Sequence, residues 1–225
     1  QAMLYASTFG FSVWLRPQEI TLTGDGVAHD GEVATRLGLL TVPVCAETIA
    51  IGNIVLLTKE TGVRVHLCRI SSAEGLAMIR SARQQGLPIT CDVSINHLHL
   101  SDMDIGFFDS NCHLMPPLRS SSDRDALRHG LLDGTIGAIC SDHAPVDEDA
   151  KLLPFGQSEV GATGVELLLP LTLKWGSEMR LPLLNVLSKI TSDPARILGI
   201  DAGHLSLGSA ADICIFDPDH YWKVT

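Results

Sequence analysis

The chain has 225 residues, and its 26 Asp and Glu against 16 Lys and Arg give a formal net charge of -10. That acidic balance argues against nucleic acid or an anionic membrane as the main partner, since both need a basic face. Hydrophobic residues at 45% and charged residues at 19% describe an ordinary globular α/β protein, long enough for one large domain or two small ones.

The chain opens in helix-like sequence, LYASTFG, and nothing there resembles a natural start, so a C-terminal part of a longer protein is expected. Residues 11–17, FSVWLRP, form an apolar strand. Residues 39–58 are the most apolar window, but Pro43, Glu47 and Asn53 interrupt it, which fits a buried helix and not a membrane span. That helix is expected over 43–61, ending in Thr-Gly. Residues 64–71 are a second strand, and 72–85 a helix with Ser72 as N-cap and Gly86 as C-cap. A third strand covers 87–94, and a helix over 123–133 is closed by Gly134. A fourth strand covers 136–141, and helices follow over 165–174 and 183–189.

Strand–helix alternation of this kind points to βα units on a parallel sheet. The polar candidates Arg16, Arg69, Asn96, Asp142 and His143 fall just after the strands, the rim on which βα barrels build their sites. Four strands are too few to close an eight-stranded barrel. The tail, GHLSLGSAADICIFDPDHYWKV, alternates apolar and polar residues between turns and reads as a small β appendage.

Six cysteines (Cys45, Cys68, Cys91, Cys112, Cys140, Cys214) contain no CxxC pair. They fit free thiols in a reducing compartment, hence a cytoplasmic protein, better than a disulfide framework. His97-Leu98-His99 mimics an H-x-H metal pair, but its place after the third strand makes coincidence the preferred reading. His66 and Cys68 share a strand face and are read as core packing. Asp142 and His143 are chain neighbours that point to opposite faces and do not form an acid/base dyad. Asp147, Glu148 and Asp149 are a solvated acidic loop, Gly24-Asp25-Gly26 a turn, and Asn111 a turn residue.

The run FFDSNCHLMPPLRSSSDRDALRHGLLDGTIGAICSDHAP resembles the dihydroorotases of the zinc amidohydrolase superfamily. HDGEVATRLGL, VCAETIAI, TGVRVHLCRISS, INHLHLSD, TSDPARILGI and the GxLxxGxxADIxxxDP ending follow in the family's order. The resemblance implies the C-terminal half of a TIM (β/α)8 barrel over residues 1–199, strands five to eight, with 200–225 belonging to a composite β domain.

In that family the fifth and sixth strands each end in a zinc-binding histidine, and the eighth in a catalytic aspartate. Carried across, those positions fall on Arg16, Arg69 and Asp142. The substrate-binding asparagine falls on Met115 and a substrate-binding histidine on Val146, and the substrate-side A-P-F-G stretch reads Ser158-Glu159-Val160-Gly161. Asp142 alone survives. Arginine stays protonated and has no lone pair for a metal, so no cofactor is expected, the alternative being zinc on replacement ligands. An Arg16–Asp142–Arg69 cluster is expected in the former metal cavity. The resembling subset is the non-catalytic dihydroorotase-like chain found with aspartate carbamoyltransferase, which implies that enzyme's catalytic chain as partner, in a hetero-oligomer or homodimer. The rivals are an active zinc-dependent dihydroorotase or related cyclic amidohydrolase, and a metal-free regulator that binds a carboxylate between Arg16 and Arg69.

Overall fold

The computed structural model describes residues 1–220. Four strands, β1 (Ser12–Leu15), β2 (Arg64–Leu67), β3 (Ile89–Ser94) and β4 (Ala138–Cys140), pair in parallel in chain order. Trp14 stands opposite His66, His66 opposite Thr90, and Ser94 opposite Cys140. The principal helices are α1 (Ala2–Thr8), α2 (Cys45–Thr61), α3 (Ala73–Gln84), α4 (Ser121–Leu132), α5 (Val165–Glu178), α6 (Leu183–Ser188) and α7 (Ser192–Leu198). This is the expected α/β architecture with a parallel sheet. The four strands leave the sheet open, and a closed barrel is not formed among the described residues.

Alternation along the strands divides the molecule into two environments. Val65, Leu67, Cys91, Val93 and Ile139 turn to one face and are buried with Ile51 of α2, Leu76 and Ile79 of α3, Leu127 and Leu131 of α4, and Trp175 of α5. Each fully buried aliphatic side chain in such a cluster is worth about 1.5–3 kcal/mol of transfer free energy. The opposite face carries Trp14, His66, Thr90 and Asp92, an unusually polar set for strand bodies.

Caps explain several helix boundaries. Ser72 Oγ accepts the Gly75 amide at 3.0 Å, as expected, and Ser120 Oγ accepts the Asp123 amide at 3.2 Å, starting α4 two residues earlier than its charged run suggests. Gly62 ends α2 in the left-handed region. Gln85 caps α3, with Gly86 one residue beyond in the left-handed conformation. Helix α5 runs past Lys174 to Glu178, carrying Pro170 inside it. Gly176 permits this: a Cβ there would lie 2.2 Å from Val186 Cγ2, so only glycine lets α6 pack so closely.

The strands end sooner than hydrophobicity suggests. Arg69 and Asp142 have φ of 58° and 49°, which breaks the extended backbone at the two strand ends. Short elements that apolar patterning does not signal fill the loops: helices Ile20–Thr23, Glu32–Leu37, Ile95–His99 and Glu148–Lys151, and a two-stranded parallel pair, Ala28–His29 with Thr41–Val42. The loops bury a second cluster of Ala28, Val33, Ile105, Leu114, Leu118 and Phe155.

Gly199 caps α7 in the left-handed region. Beyond it the expected β appendage differs from what is formed: residues 200–220 are turns and coil without a strand. A strand needs a neighbour to complete its hydrogen-bond ladder, and none runs beside this stretch among the described residues. Leu205, Leu207, Ile213 and Ile215 stand exposed there. The rest of the tail, 221–225, lies outside the described residues.

Candidate functional site

Arg16, Arg69 and Asp142 come together at the strand ends, as expected, but not as a symmetric triad. Arg69 Nη1 lies 2.5 Å from Asp142 Oδ1, with side chains 29% and 9% exposed. Burial works against the Arg69 charge, yet the hydrogen bond and charge of Asp142 outweigh it, and its pKa is raised. Arg16 joins this pair only through space. Its guanidinium makes no hydrogen bond among the described residues; burial and then the Arg69 cation lower its pKa, with Asp142 partly offsetting them. Two cations share one carboxylate, and Arg69 has taken it.

Asp92 holds this arrangement from below. Its Oδ1 accepts the Arg69 backbone amide at 2.7 Å, fixing the left-handed turn that aims the guanidinium at Asp142. Its Oδ2 sits 2.9 Å from His66 Nε2, and His66 Nδ1 lies 2.8 Å from Thr90 Oγ1. The Trp14 ring covers His66 at a centroid distance of 4.2 Å, leaving the imidazole buried. Cys68 and Cys140 flank the same carboxylate, and burial followed by the Asp92 charge raises both thiols, Cys68 to about 11. His66 is therefore a member of a hydrogen-bonded polar layer and not of the apolar core, and Cys68 lies half-buried beside it, outside that core. Asp92 and Thr90 were missed; a carboxylate in the middle of the apolar run ITCDVS was the available signal.

Met115 precedes a cis peptide bond to Pro116, and its Sδ faces Gln18 Nε2 at 3.9 Å. With Arg16, Gln18 and Thr23 it borders a cavity of about 20 Å³. Val146 lies in the loop beyond Asp142, against Gly161, where a Cβ would meet its Cγ2 at 3.1 Å. His143 turns away from Asp142 and accepts the Gly164 amide through Nδ1 at 3.1 Å. His97 and His99 do not converge: His97 Nε2 donates to the Pro117 carbonyl at 3.1 Å and His99 Nε2 to the Leu171 carbonyl at 2.9 Å. Burial pushes His97 down to about 4, only partly opposed by its hydrogen bond. Asn96 is buried with its amide nitrogen unpartnered, while the Asn111 amide donates to Asp109 in a turn.

A second buried network was not anticipated. The Glu47 carboxylate accepts four hydrogen bonds of 2.5–3.0 Å from the amides and hydroxyls of Ser71 and Ser72. Arg119 closes the network through Ser71 Oγ and the Val42 carbonyl. It ties α2 to the loop after β2, a role that an acidic residue in an apolar helix foreshadows.

The strand-end residues do not fit a zinc ion. Arg16 and Arg69 offer no lone pair, Asp142 is already paired, and Met115 offers only a thioether. The ligand types that do gather among the described residues, His66, Cys68 and Asp92, lie on and just beyond the strand bodies.

The chain belongs to the amidohydrolase family, which it matches over residues 32–224. Its relatives narrow this to the dihydroorotases within that superfamily. The dihydroorotase-like protein of Pseudomonas putida is 43% identical over 218 residues, 97% of this chain and 51% of that protein. The dihydroorotase of Geobacter sp. (strain M21) is 38% identical over 224 residues, 100% of this chain and 53% of that protein. The chain thus spans about half the length of these curated relatives. Among solved structures, an L-hydantoinase from Arthrobacter aurescens shares the fold with a TM-score of 0.82 at 24% identity, covering 93% of this chain and 48% of that one. Dihydroorotase from Saccharomyces cerevisiae gives 0.71 at 14%, covering 89% and 53%.

Proposed function

We propose that this chain is part of a non-catalytic dihydroorotase-like protein whose role is structural, as an assembly partner of the aspartate carbamoyltransferase catalytic chain in the cytoplasm. Residues 1–199 would supply the second half of a (β/α)8 barrel, and 200–225 part of a composite β domain. The Arg69–Asp142 ion pair is the observation that carries this reading: a cation occupies the place where the family resemblance puts a zinc ligand, and it consumes the one carboxylate left there. The relatives from Pseudomonas that are called dihydroorotase-like support it. Fold and docking surface survive the loss of a few site residues, because core packing does not depend on them.

The test is dihydroorotase turnover by the full-length protein with zinc supplied, followed by co-purification with the transcarbamoylase catalytic chain. No turnover together with a stable complex is the expected result. Turnover abolished by Asp142→Asn would overturn the reading in favour of an active cyclic amidohydrolase. A second reading is favoured by Arg16, whose half-buried guanidinium has no acceptor among the described residues: a metal-free regulator that binds a small carboxylate there. Saturable thermal stabilisation by such an anion, lost in Arg16→Ala, would support it.

A further inference from the structure

We propose that His66, Cys68 and Asp92 form a buried site for a thiophilic divalent cation, zinc by preference, one layer below the strand-end arginines. The three donor atoms, His66 Nε2, Cys68 Sγ and an Asp92 carboxylate oxygen, lie within 4.8 Å of one another. Donors around a tetrahedral zinc are roughly 3.3–3.7 Å apart, so the cluster needs only small adjustments of side chains. The Cys140 thiol stands apart from this set, 3.5 Å from the other Asp92 oxygen, Oδ1. Three protein donors leave the fourth tetrahedral position to a water molecule.

The surroundings already orient each ligand. Metal-binding imidazoles donate their second ring N–H to a fixed acceptor, and His66 Nδ1 has Thr90 Oγ1 at 2.8 Å for that purpose. Asp92 Oδ1 is held by the Arg69 amide, which leaves Oδ2 to face the site. Without an ion, the 2.9 Å contact between His66 Nε2 and Asp92 Oδ2 requires a shared proton. Binding would release the Cys68 thiol proton to solvent, while the single proton of the neutral imidazole moves from Nε2 to Nδ1 and is donated to Thr90 Oγ1, with no change of oxidation state. One carboxylate and one thiolate balance a divalent charge.

Imidazole, thiolate and carboxylate together select zinc or cobalt over magnesium or calcium, which take oxygen ligands. This site is separate from the proposed function, because none of its three donors is Arg16, Arg69 or Asp142. The experiment is titration of the full-length protein, stripped of metal under reducing conditions, with Co²⁺. The expected result is one equivalent bound, with thiolate-to-cobalt charge-transfer absorption in the near ultraviolet and strong tetrahedral bands in the visible. Cys68→Ser should abolish the charge transfer, and Thr90→Val, which keeps every ligand, should weaken affinity by about 10–100-fold. Asp142→Asn should leave the spectrum unchanged.

A wild-type spectrum without charge transfer would overturn the site whatever the variants do. A spectrum lost in Asp142→Asn but kept in Cys68→Ser would also overturn it, by moving the ion to the strand ends. Turnover is the separate readout of the proposed function, so the two can fail independently.

Discussion

Arg69 and Asp142 meet across 2.5 Å from the ends of two non-adjacent strands, and each adopts a left-handed backbone to do so. The intervening strand contributes Asp92, which accepts the Arg69 amide and sets that turn. Three strands therefore cooperate in neutralising one carboxylate.

Removing the carboxylate leaves two arginines half-buried without it. Asp142→Ala should lower stability by about 1–3 kcal/mol, read from urea denaturation midpoints. The double variant Arg69→Met with Asp142→Leu should recover most of that loss, because well-packed apolar groups replace a buried ion pair at little cost. Equal losses in the single and double variants would show that an unpaired Arg69 is not the source of the cost.

Glu47 is the stronger structural anchor. Its carboxylate satisfies the amides and hydroxyls of two serines, with Arg119 beside them. Glu47→Ala should cost about 3–5 kcal/mol, more than Asp142→Ala, since it strands a buried guanidinium and several donors. Hydrogen exchange should rise first in the loop between β2 and α3, where those donors lie.

The buried histidines make the fold acid-sensitive. His97 is pushed down to about 4, below its ordinary 6.5, so the native state binds fewer protons than the unfolded state between those values. Stability present above pH 6.5 should therefore fall as pH is lowered toward 4, by up to roughly 3 kcal/mol from this residue. His29, His99 and His113 are depressed by burial in the same direction. Denaturation midpoints across this range should show the slope, and His97→Gln should flatten it.

Contact between α5 and α6 depends on Gly176. Gly176→Ala would place a methyl group within 2.2 Å of Val186 Cγ2 and should cost about 1–3 kcal/mol by overpacking. Val186→Ala in the same chain should restore part of the loss, measurable as a recovered melting temperature.

Periodicity and caps made the βα order legible from residues alone. Apolar runs at 64–71, 87–94 and 136–141 announced β2, β3 and β4, and Ser72 announced the start of α3 by its hydroxyl. Arg16, Arg69 and Asp142 were legible as a group because parallel strands put their ends on one rim. Less legible were the loop elements around Ala28 and Phe155, whose core is assembled from segments distant in the chain.

What the sequence determined by itself was the type and order of the elements and the residues at the strand ends, since alternation and capping are local properties. Only the tertiary structure decided the partnerships. Asp92 could not be matched to both His66 and the Arg69 amide, nor Glu47 to Ser71 and Ser72, without the register of neighbouring elements. Nor could the residues alone tell that Arg69, and not Arg16, takes Asp142. A hydrogen bond is settled within a few tenths of an ångström, and that distance depends on backbone turns which residue identity does not specify.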